Sequence, residues 1–431
     1  MVKKQTISAS LVAAIASTLF VVSLPGCFYM GGETPPGWMR TAGGPEPDEA
    51  FSCALSAGGQ ILFAGATKSF GGEYRRLYVG KMAGDGTLVW EQAYGTGNVR
   101  ERAVDMVGTA DGGIAVLTEI IEFEDPELYW LPSARYCHLL RLDAAGEVLW
   151  TQSVSPQGHE AYHAVVEKPG GGFVLAGTYS NDVVGTERAL LALGLDADGG
   201  ELWRRVFSEE AYENGPTGLA AMPDGQVVVA GNASATDIFV TRIDEEGDQQ
   251  GFWTFSEGDD SLWGAAVTAL DEGGVVIAAT RHASGSLDSD IWLLALDAEG
   301  GEQWRTTVGG DGSESVADLM CTSDGAFLLA GDVDWEVHFA NIYFDTSDAL
   351  LMKVGATGQL LWSTAVGFSF DRYNMFRMSA DIDSGAGVVE LDDGGYVLVG
   401  TTGTYGAGWD DVFFVGTDAG GSTVWTEATM E

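Results

Sequence analysis

Seven short stretches of this chain are apolar at every position instead of at alternate ones. They are Ile61–Gly65, Ile114–Leu117, Phe173–Gly177, Val227–Gly231, Val275–Ala279, Phe327–Gly331 and Tyr396–Gly400. A stretch this short and continuously apolar predicts a strand buried on both faces. Each stands second in a recurring set of four. In residues 313–367 the set reads as strand a (Ser315–Thr322), a turn Ser323-Asp324-Gly325, and strand b (Ala326–Gly331). After a linking segment come strand c (Ala349–Val354), a turn at 355–358 and strand d (Gln359–Val366). Turns such as Asp111-Gly112-Gly113 and Asp393-Gly394-Gly395 join a to b, as hairpin chemistry requires.

Strand d carries a Trp: Trp38, Trp90, Trp150, Trp203, Trp253, Trp304, Trp362 and Trp425, spaced 50 to 63 residues apart. That period means a propeller or a solenoid. A propeller buries strand b on both sides, because each small sheet is sandwiched between two neighbours. The expected fold is all-β: a seven-bladed β-propeller of four-stranded antiparallel blades. The c–d turn reads Asp-x-x-Gly-x-x-x-Trp at Asp143/Gly146/Trp150, Asp196/Gly199/Trp203, Asp297/Gly300/Trp304 and Asp418/Gly421/Trp425. There the Asp bonds the turn backbone and the Gly supplies a positive φ. Strands a, b and c occur seven times but strand d eight times, so one copy is surplus. The Trp425 copy follows its own strand c directly, and it is therefore expected to close the last blade, leaving the Trp38 copy outside.

On these turns the chain resembles the bacterial quinoprotein-type, PQQ-like repeat propellers, whose units end in Gly-x-x-x-Trp. The likeness runs from about Trp38 to the C-terminus; the Thr that usually precedes the Gly stands only at Thr357. The resemblance implies a propeller and invites one enzymatic reading, a PQQ-dependent quinoprotein oxidoreductase. Against that reading, the chain offers no adjacent Cys pair of the kind alcohol-oxidising members use, and those enzymes usually have eight blades.

The N-terminus has a different logic. Lys3 and Lys4 precede an uncharged apolar run from Ile7 to Leu24, which ends in Leu24-Pro25-Gly26-Cys27. This resembles the lipobox of bacterial lipoproteins, with Pro25 a departure from the usual small residue. The resemblance implies that residues 1–26 are a signal peptide and that Cys27 is lipidated. Residues 27–36 then form a Gly/Pro-rich tether and 37–431 the propeller. Multiple acyl chains make a stable anchor. The expected location is the bacterial cell envelope, lipid-anchored. Phe28 stands where an Asp would favour inner-membrane retention in enterobacterial lipoproteins, so the resemblance points to the outer membrane, on its periplasmic or its outer side.

Composition narrows the partners. The chain has 63 Asp and Glu against 21 Lys and Arg, a net charge of −42. Such a surface repels phosphate backbones, which excludes nucleic acid, and leaves the membrane as a partner only through the lipid. Of four Cys, Cys27 belongs to the anchor. Cys53, Cys137 and Cys321 fall in different repeats and read as buried thiols.

Three groups of residues offer chemistry. His159-Glu160-Ala161-Tyr162-His163 fits the zinc-protease pattern, but that pattern needs a helix, and here it enters strand a. Aligned by repeat, Glu160 falls level with Asp48, Glu101, Glu314 and Asp383. These five acids are expected to ring one mouth of the central channel, where they either attract a cation or basic partner or lock the blades through backbone bonds. A second series, Asp237, Asp290, Asp348 and Asp411, precedes strand c and reads as turn caps. The b–c segments differ most between blades, and binding usually sits on such segments. Glu119–Pro132 and Asp332–Asp345 are rich in acids and aromatics, as suits a glycan or a protein segment. In the second, Asp332, Asp334 and Glu336 alternate as a candidate Ca²⁺ set, although the Gly of an EF-hand loop is missing. No catalytic residue and no cofactor ligand is otherwise assigned. The expected function is a non-catalytic binding module, with an envelope protein or a glycan as partner.

Overall fold

The computed structural model describes residues 38–123, 134–155, 160–180, 188–207, 215–286, 288–310, 312–339, 342–367, 382–407 and 410–423, with backbone alone for 335–339 and 342–345. The described residues contain 28 strands and no helix. They form seven four-stranded antiparallel sheets, and the chain is a seven-bladed β-propeller.

The chain enters on β1 (Trp38–Ala42). Blade 1 is β2 (Asp48–Leu55), β3 (Ile61–Thr67), β4 (Arg76–Met82) and β5 (Leu88–Tyr94). Blade 2 is β6 (Arg100–Gly108), β7 (Ile114–Glu122), β8 (Ala134–Leu142) and β9 (Val148–Ser153). Blade 3 is β10 (Glu160–Glu167), β11 (Phe173–Ser180), β12 (Arg188–Leu195) and β13 (Glu201–Phe207). Blade 4 is β14 (Gly215–Ala221), β15 (Val227–Asn232), β16 (Asp237–Ile243) and β17 (Gln249–Ser256). Blade 5 is β18 (Ser261–Ala269), β19 (Val275–His282), β20 (Ser289–Leu296) and β21 (Glu302–Val308). Blade 6 is β22 (Ser313–Cys321), β23 (Phe327–Phe339), β24 (Ile342–Val354) and β25 (Leu360–Val366). Blade 7 is β26 (Asp383–Glu390), β27 (Tyr396–Thr402) and β28 (Asp411–Thr417), completed by β1.

The expected closure is therefore corrected. β1 pairs antiparallel with β28, from Trp38↔Gly416 to Ala42↔Val412, and supplies the fourth strand of blade 7. The physical reason lies in the Trp–Gly lock. Each strand-d indole lies against the Gly of the next blade's c–d turn. A Cβ on Gly86 would stand 2.7 Å from Trp38, on Gly300 2.3 Å from Trp253, and on Gly421 2.5 Å from Trp362. Seven such Gly positions exist, and Trp38 fills the one at Gly86. Trp425 lies outside the described residues. The Trp38 indole N–H also donates to Gly84 O at 3.2 Å, and that of Trp203 to Glu245 O at 2.7 Å. The turn Asp acts as expected: Asp196 Oδ1 accepts from the backbone N–H groups of Asp198 and Gly200.

The core is seven wedges. Along β3 every residue is buried. Ile61 and Phe63 join the cluster between blades 7 and 1, while Leu62 and Ala64 join the cluster between blades 1 and 2. Side chains on a strand alternate between faces, so an unbroken apolar run serves two neighbours. The outer strands meet water instead, and β9 is exposed at alternate positions.

The topology defines two faces. The a–b and c–d turns lie on one, here called the turn face. The b–c and d–a links lie on the other, the loop face. Trp38 sits at the turn-face end of β1, because its partner Gly416 adjoins the c–d turn.

Candidate functional site: the channel and the loop-face acids

The innermost strand of every blade carries a register shift at the same place, for example between Ala50 and Ser52, Ala103 and Asp105, and Val316 and Asp318. A β-bulge re-aims the next side chain and leaves a backbone group unpaired. Side chains take up those groups. Asp105 Oδ1 accepts from Ser52 Oγ of blade 1 at 3.0 Å and from Met106 N at 2.8 Å, while Oδ2 accepts from Val165 N of blade 3 at 2.8 Å. One carboxylate thus joins three blades. Asp318 joins two blades on the other side, accepting from Leu319 N at 2.8 Å and Val388 N of blade 7 at 3.0 Å.

A second series of stitches comes from the residue after the last b-strand Gly or Ala. Asn232 Nδ2 donates to Leu262 O at 2.6 Å, Thr280 Oγ1 accepts from Val316 N at 3.2 Å, and Thr401 Oγ1 accepts from Ala50 N at 3.0 Å. Asp332 fills this slot in blade 6 and accepts from Gly385 N at 2.9 Å. Neither Asp105 nor Asp318 was singled out from the sequence. Both follow the strand's first charged residues, Arg100, Glu101 and Arg102 in β6 and Glu314 in β22, so no isolated charge marks them.

Burial pushes Asp105 up to about 6, outweighing its three donors, with the Asp318 charge adding to the shift. Asp332 also rises to about 6, from burial first and then the Asp334 charge. A carboxyl whose folded value lies above its unfolded one stabilises the fold most below the unfolded value, and that contribution is lost as pH rises through the folded value. Self-repulsion of a chain of net charge −42 acts in the same direction. The urea midpoint is therefore expected to be higher at pH 5 than at pH 7.5. The difference should narrow in Asp105→Asn, and an unchanged difference would rule Asp105 out as its source.

Cys53, Cys137 and Cys321 are free thiols. The Cys53 thiol lies close to Asp318: a Cβ on Gly387 would stand 2.7 Å from Cys53 Sγ and 3.2 Å from Asp318 Oδ2. Burial and the charges of Asp318 and Asp105 push that thiol well up, which makes it a poor nucleophile.

Glu160 and the four acids level with it stand at the first or second residues of innermost strands, on the loop face. Their bonds run outwards into the blade junctions. Asp48 is fully buried, and its Oδ2 accepts from Gly44 N and Ser69 Oγ, both at 2.7 Å. Glu160 pairs with Arg204, which also donates to Tyr162 Oη at 2.8 Å. Asp383 accepts from Thr402 Oγ1 and, at 2.9 Å, from Thr404 Oγ1. Glu101 packs against Gly95, with burial raising its carboxyl and the Arg76 charge opposing the rise. Glu314 accepts from Gly310 N at 3.1 Å.

The expected b–c loop of blade 6 is corrected to a hairpin. β23 and β24 stay in register from Phe327↔Val354 out to Phe339↔Ile342, so Asp332, Asp334 and Glu336 stand at alternate positions of one strand. Glu119 likewise sits within β7, where it pairs with Arg102 at 2.9 Å and Arg135 at 3.2 Å. Residues 124–133 lie outside the described residues, as do Cys27 and His159. His163 lies in β10, a strand, so the helix that a zinc-protease pair needs is not formed there.

No family model and no curated protein matches the chain. Among solved structures, a protein of unknown function from Dyadobacter fermentans is similar at 12% identity. Its TM-score is 0.50, over 88% of this chain and 98% of that one. Sqt1 from Chaetomium thermophilum reaches a TM-score of 0.49 at 11% identity, over 87% and 96%. A glucose dehydrogenase reaches 0.41 at 13%, over 77% and 100%. At 12% identity the first shows a shared fold and nothing finer. The PQQ-like resemblance rests on the sequence alone.

Proposed function

We propose that this chain is a lipid-anchored bacterial envelope protein whose propeller is a binding module. Its loop face would be turned away from the membrane, towards a protein or glycan. The observation that carries the orientation is the position of Trp38. The chain from Cys27 joins the propeller at the turn-face end of β1. Ten residues separate Cys27 from Trp38, a reach of at most about 35 Å when extended. The tether therefore holds the turn face near the bilayer. The b–c segments, which vary from blade to blade, point the opposite way. Variable segments on a rigid scaffold suit recognition, and the acidic composition favours a basic or neutral partner.

Two measurements test this reading. Cys27→Ala expressed in a bacterial host is expected to move the protein from the membrane to the soluble fraction; retention in the membrane would end the anchor. An epitope inserted between Gly285 and Ser286 on the loop face is expected to capture proteoliposomes of the lipidated protein with its antibody. The same epitope between Gly170 and Gly171 on the turn face should capture them poorly. Equal capture would end the orientation.

A further inference from the structure

The junction between blades 5 and 6 sets two acids, Asp290 and Glu314, against one another. Glu314 is 3% exposed, and its Oε2 atom has no hydrogen-bond partner. Its Oε1 is satisfied by Gly310 N. Across from Oε2 stands Asp290, the second residue of β20. A Cβ placed on Gly309 would lie 2.1 Å from Asp290 Oδ1 and 2.7 Å from Glu314 Oε2, so the two oxygens are no more than 4.8 Å apart. Gly309 is the residue that leaves room for both.

The strand-c position of Asp290 holds an acid in four blades, as Asp237, Asp290, Asp348 and Asp411, and a guanidinium in blade 1. In the junction between blades 1 and 2, Glu101 faces the Arg76 charge. Arg76 opens strand c of blade 1, the position that Asp290 holds in strand c of blade 5. In blade 3, Glu160 pairs with Arg204. Glu314 instead has a second carboxylate where the first junction has a guanidinium. Burial raises its carboxyl against the backbone N–H of Gly310, and the Asp290 charge adds to the rise. A buried, unpartnered carboxylate oxygen facing a like charge is costly unless something positive stands between them.

We propose that Asp290 and Glu314 form an inter-blade binding site for a divalent hard cation, Ca²⁺, held between the two carboxylates. Two carboxylate oxygens on either side of one point suit an ion that takes all-oxygen ligands at 2.3–2.6 Å. The ion would fill its remaining coordination positions with water. A site with two carboxylates belongs to the weak class of extracellular modules, with a dissociation constant on the order of 10⁻⁴–10⁻³ M. The ion would clamp blade 5 to blade 6.

The test is a thermal-unfolding titration of the full chain with CaCl₂, after exhaustive chelation, at pH 7.5. The wild type is expected to gain about 2–4 °C at 10 mM Ca²⁺, because a ligand that binds only the folded state raises its midpoint. Glu314→Gln, an isosteric change, is expected to lose that gain. It should also match or exceed the wild-type midpoint without Ca²⁺, because the like-charge contact is gone. Glu101→Gln, opposite Arg76, should keep the full gain. An equal gain in Glu314→Gln would overturn the site. So would no gain in the wild type, and a rise in midpoint towards pH 5 that is smaller in Glu314→Gln than in the wild type would then mean that the pair shares a proton instead.

Discussion

Deleting residues 38–43 is expected to abolish cooperative unfolding, while truncation after Thr423 leaves the urea midpoint unchanged. β1 is the fourth strand of blade 7, and without it β28 becomes an edge. Val412, Phe413, Phe414 and Val415 of that strand are all buried. An edge that presents apolar side chains and unpaired backbone groups invites aggregation. Ala42 and Trp38 also belong to the wedge between blades 7 and 1. The single substitution Trp38→Ala is expected to cost about 3 kcal/mol, at the low end for a large aromatic because Trp38 is only half-buried. Trp425→Ala is expected to stay within about 0.5 kcal/mol. The seven Gly slots are already filled. The reverse order of these two variants, read by urea denaturation, would return closure to the C-terminal copy.

That closure was the part of the fold the sequence left ambiguous. Trp38-Met39-Arg40-Thr41-Ala42 and the segment around Trp425 both read as strand d, and local pattern cannot choose between them. The choice is made by a pairing between residues almost 380 positions apart, Trp38 with Gly416. The remaining architecture was legible because it is local. Strand b needs apolar residues on both faces, and the c–d hairpin needs an Asp, a Gly and a Trp at fixed offsets. The blade-6 hairpin was misread for an instructive reason. Asp332, Asp334, Glu336 and His338 alternate with Val333, Trp335, Val337 and Phe339, which is the period of a strand. In a strand the alternate acids share one face and stand about 7 Å apart along it. In blade 6 the first of them is spent on Gly385 N of the next blade.

The acids show the same limit from the other side. Repeat alignment groups Asp48, Glu101, Glu160, Glu314 and Asp383 as one series, and each stands at the first or second residue of its innermost strand. Their environments differ because the partners come from other strands. Arg204 lies 44 residues after Glu160, and Asp290 lies 24 residues before Glu314. Asp105 and Asp318 escaped notice because each is an acid inside a strand, where an apolar residue is the default reading. A bulge makes room for them, and a bulge has no sequence signature of its own here.

Gly65→Ala is expected to cost about 3 kcal/mol and Gly394→Ala about 1 kcal/mol, although both change one hydrogen to a methyl. The two glycines exist for different reasons. Gly394 sits in an a–b turn at φ +81° with nothing within 4 Å of a new Cβ. Only the left-handed backbone penalty applies there, roughly 1–2 kcal/mol for an L-residue. Gly65 lies in β3 opposite the bulge of β2, and its Cβ would stand 1.7 Å from Glu49 O and 2.9 Å from Ala50 Cα. Those atoms are backbone, so the innermost strand itself must move. Overpacking of a close-packed interior costs about 1–3 kcal/mol, and the upper end applies where no side chain can rotate away. Gly177, Gly331 and Gly400 repeat the contact, at 2.1, 1.9 and 1.9 Å from the facing carbonyl oxygens. Urea midpoints of the two alanine variants decide the matter. Equal losses would mean that the bulge yields, and that the innermost strands are held less firmly than their side-chain stitches imply.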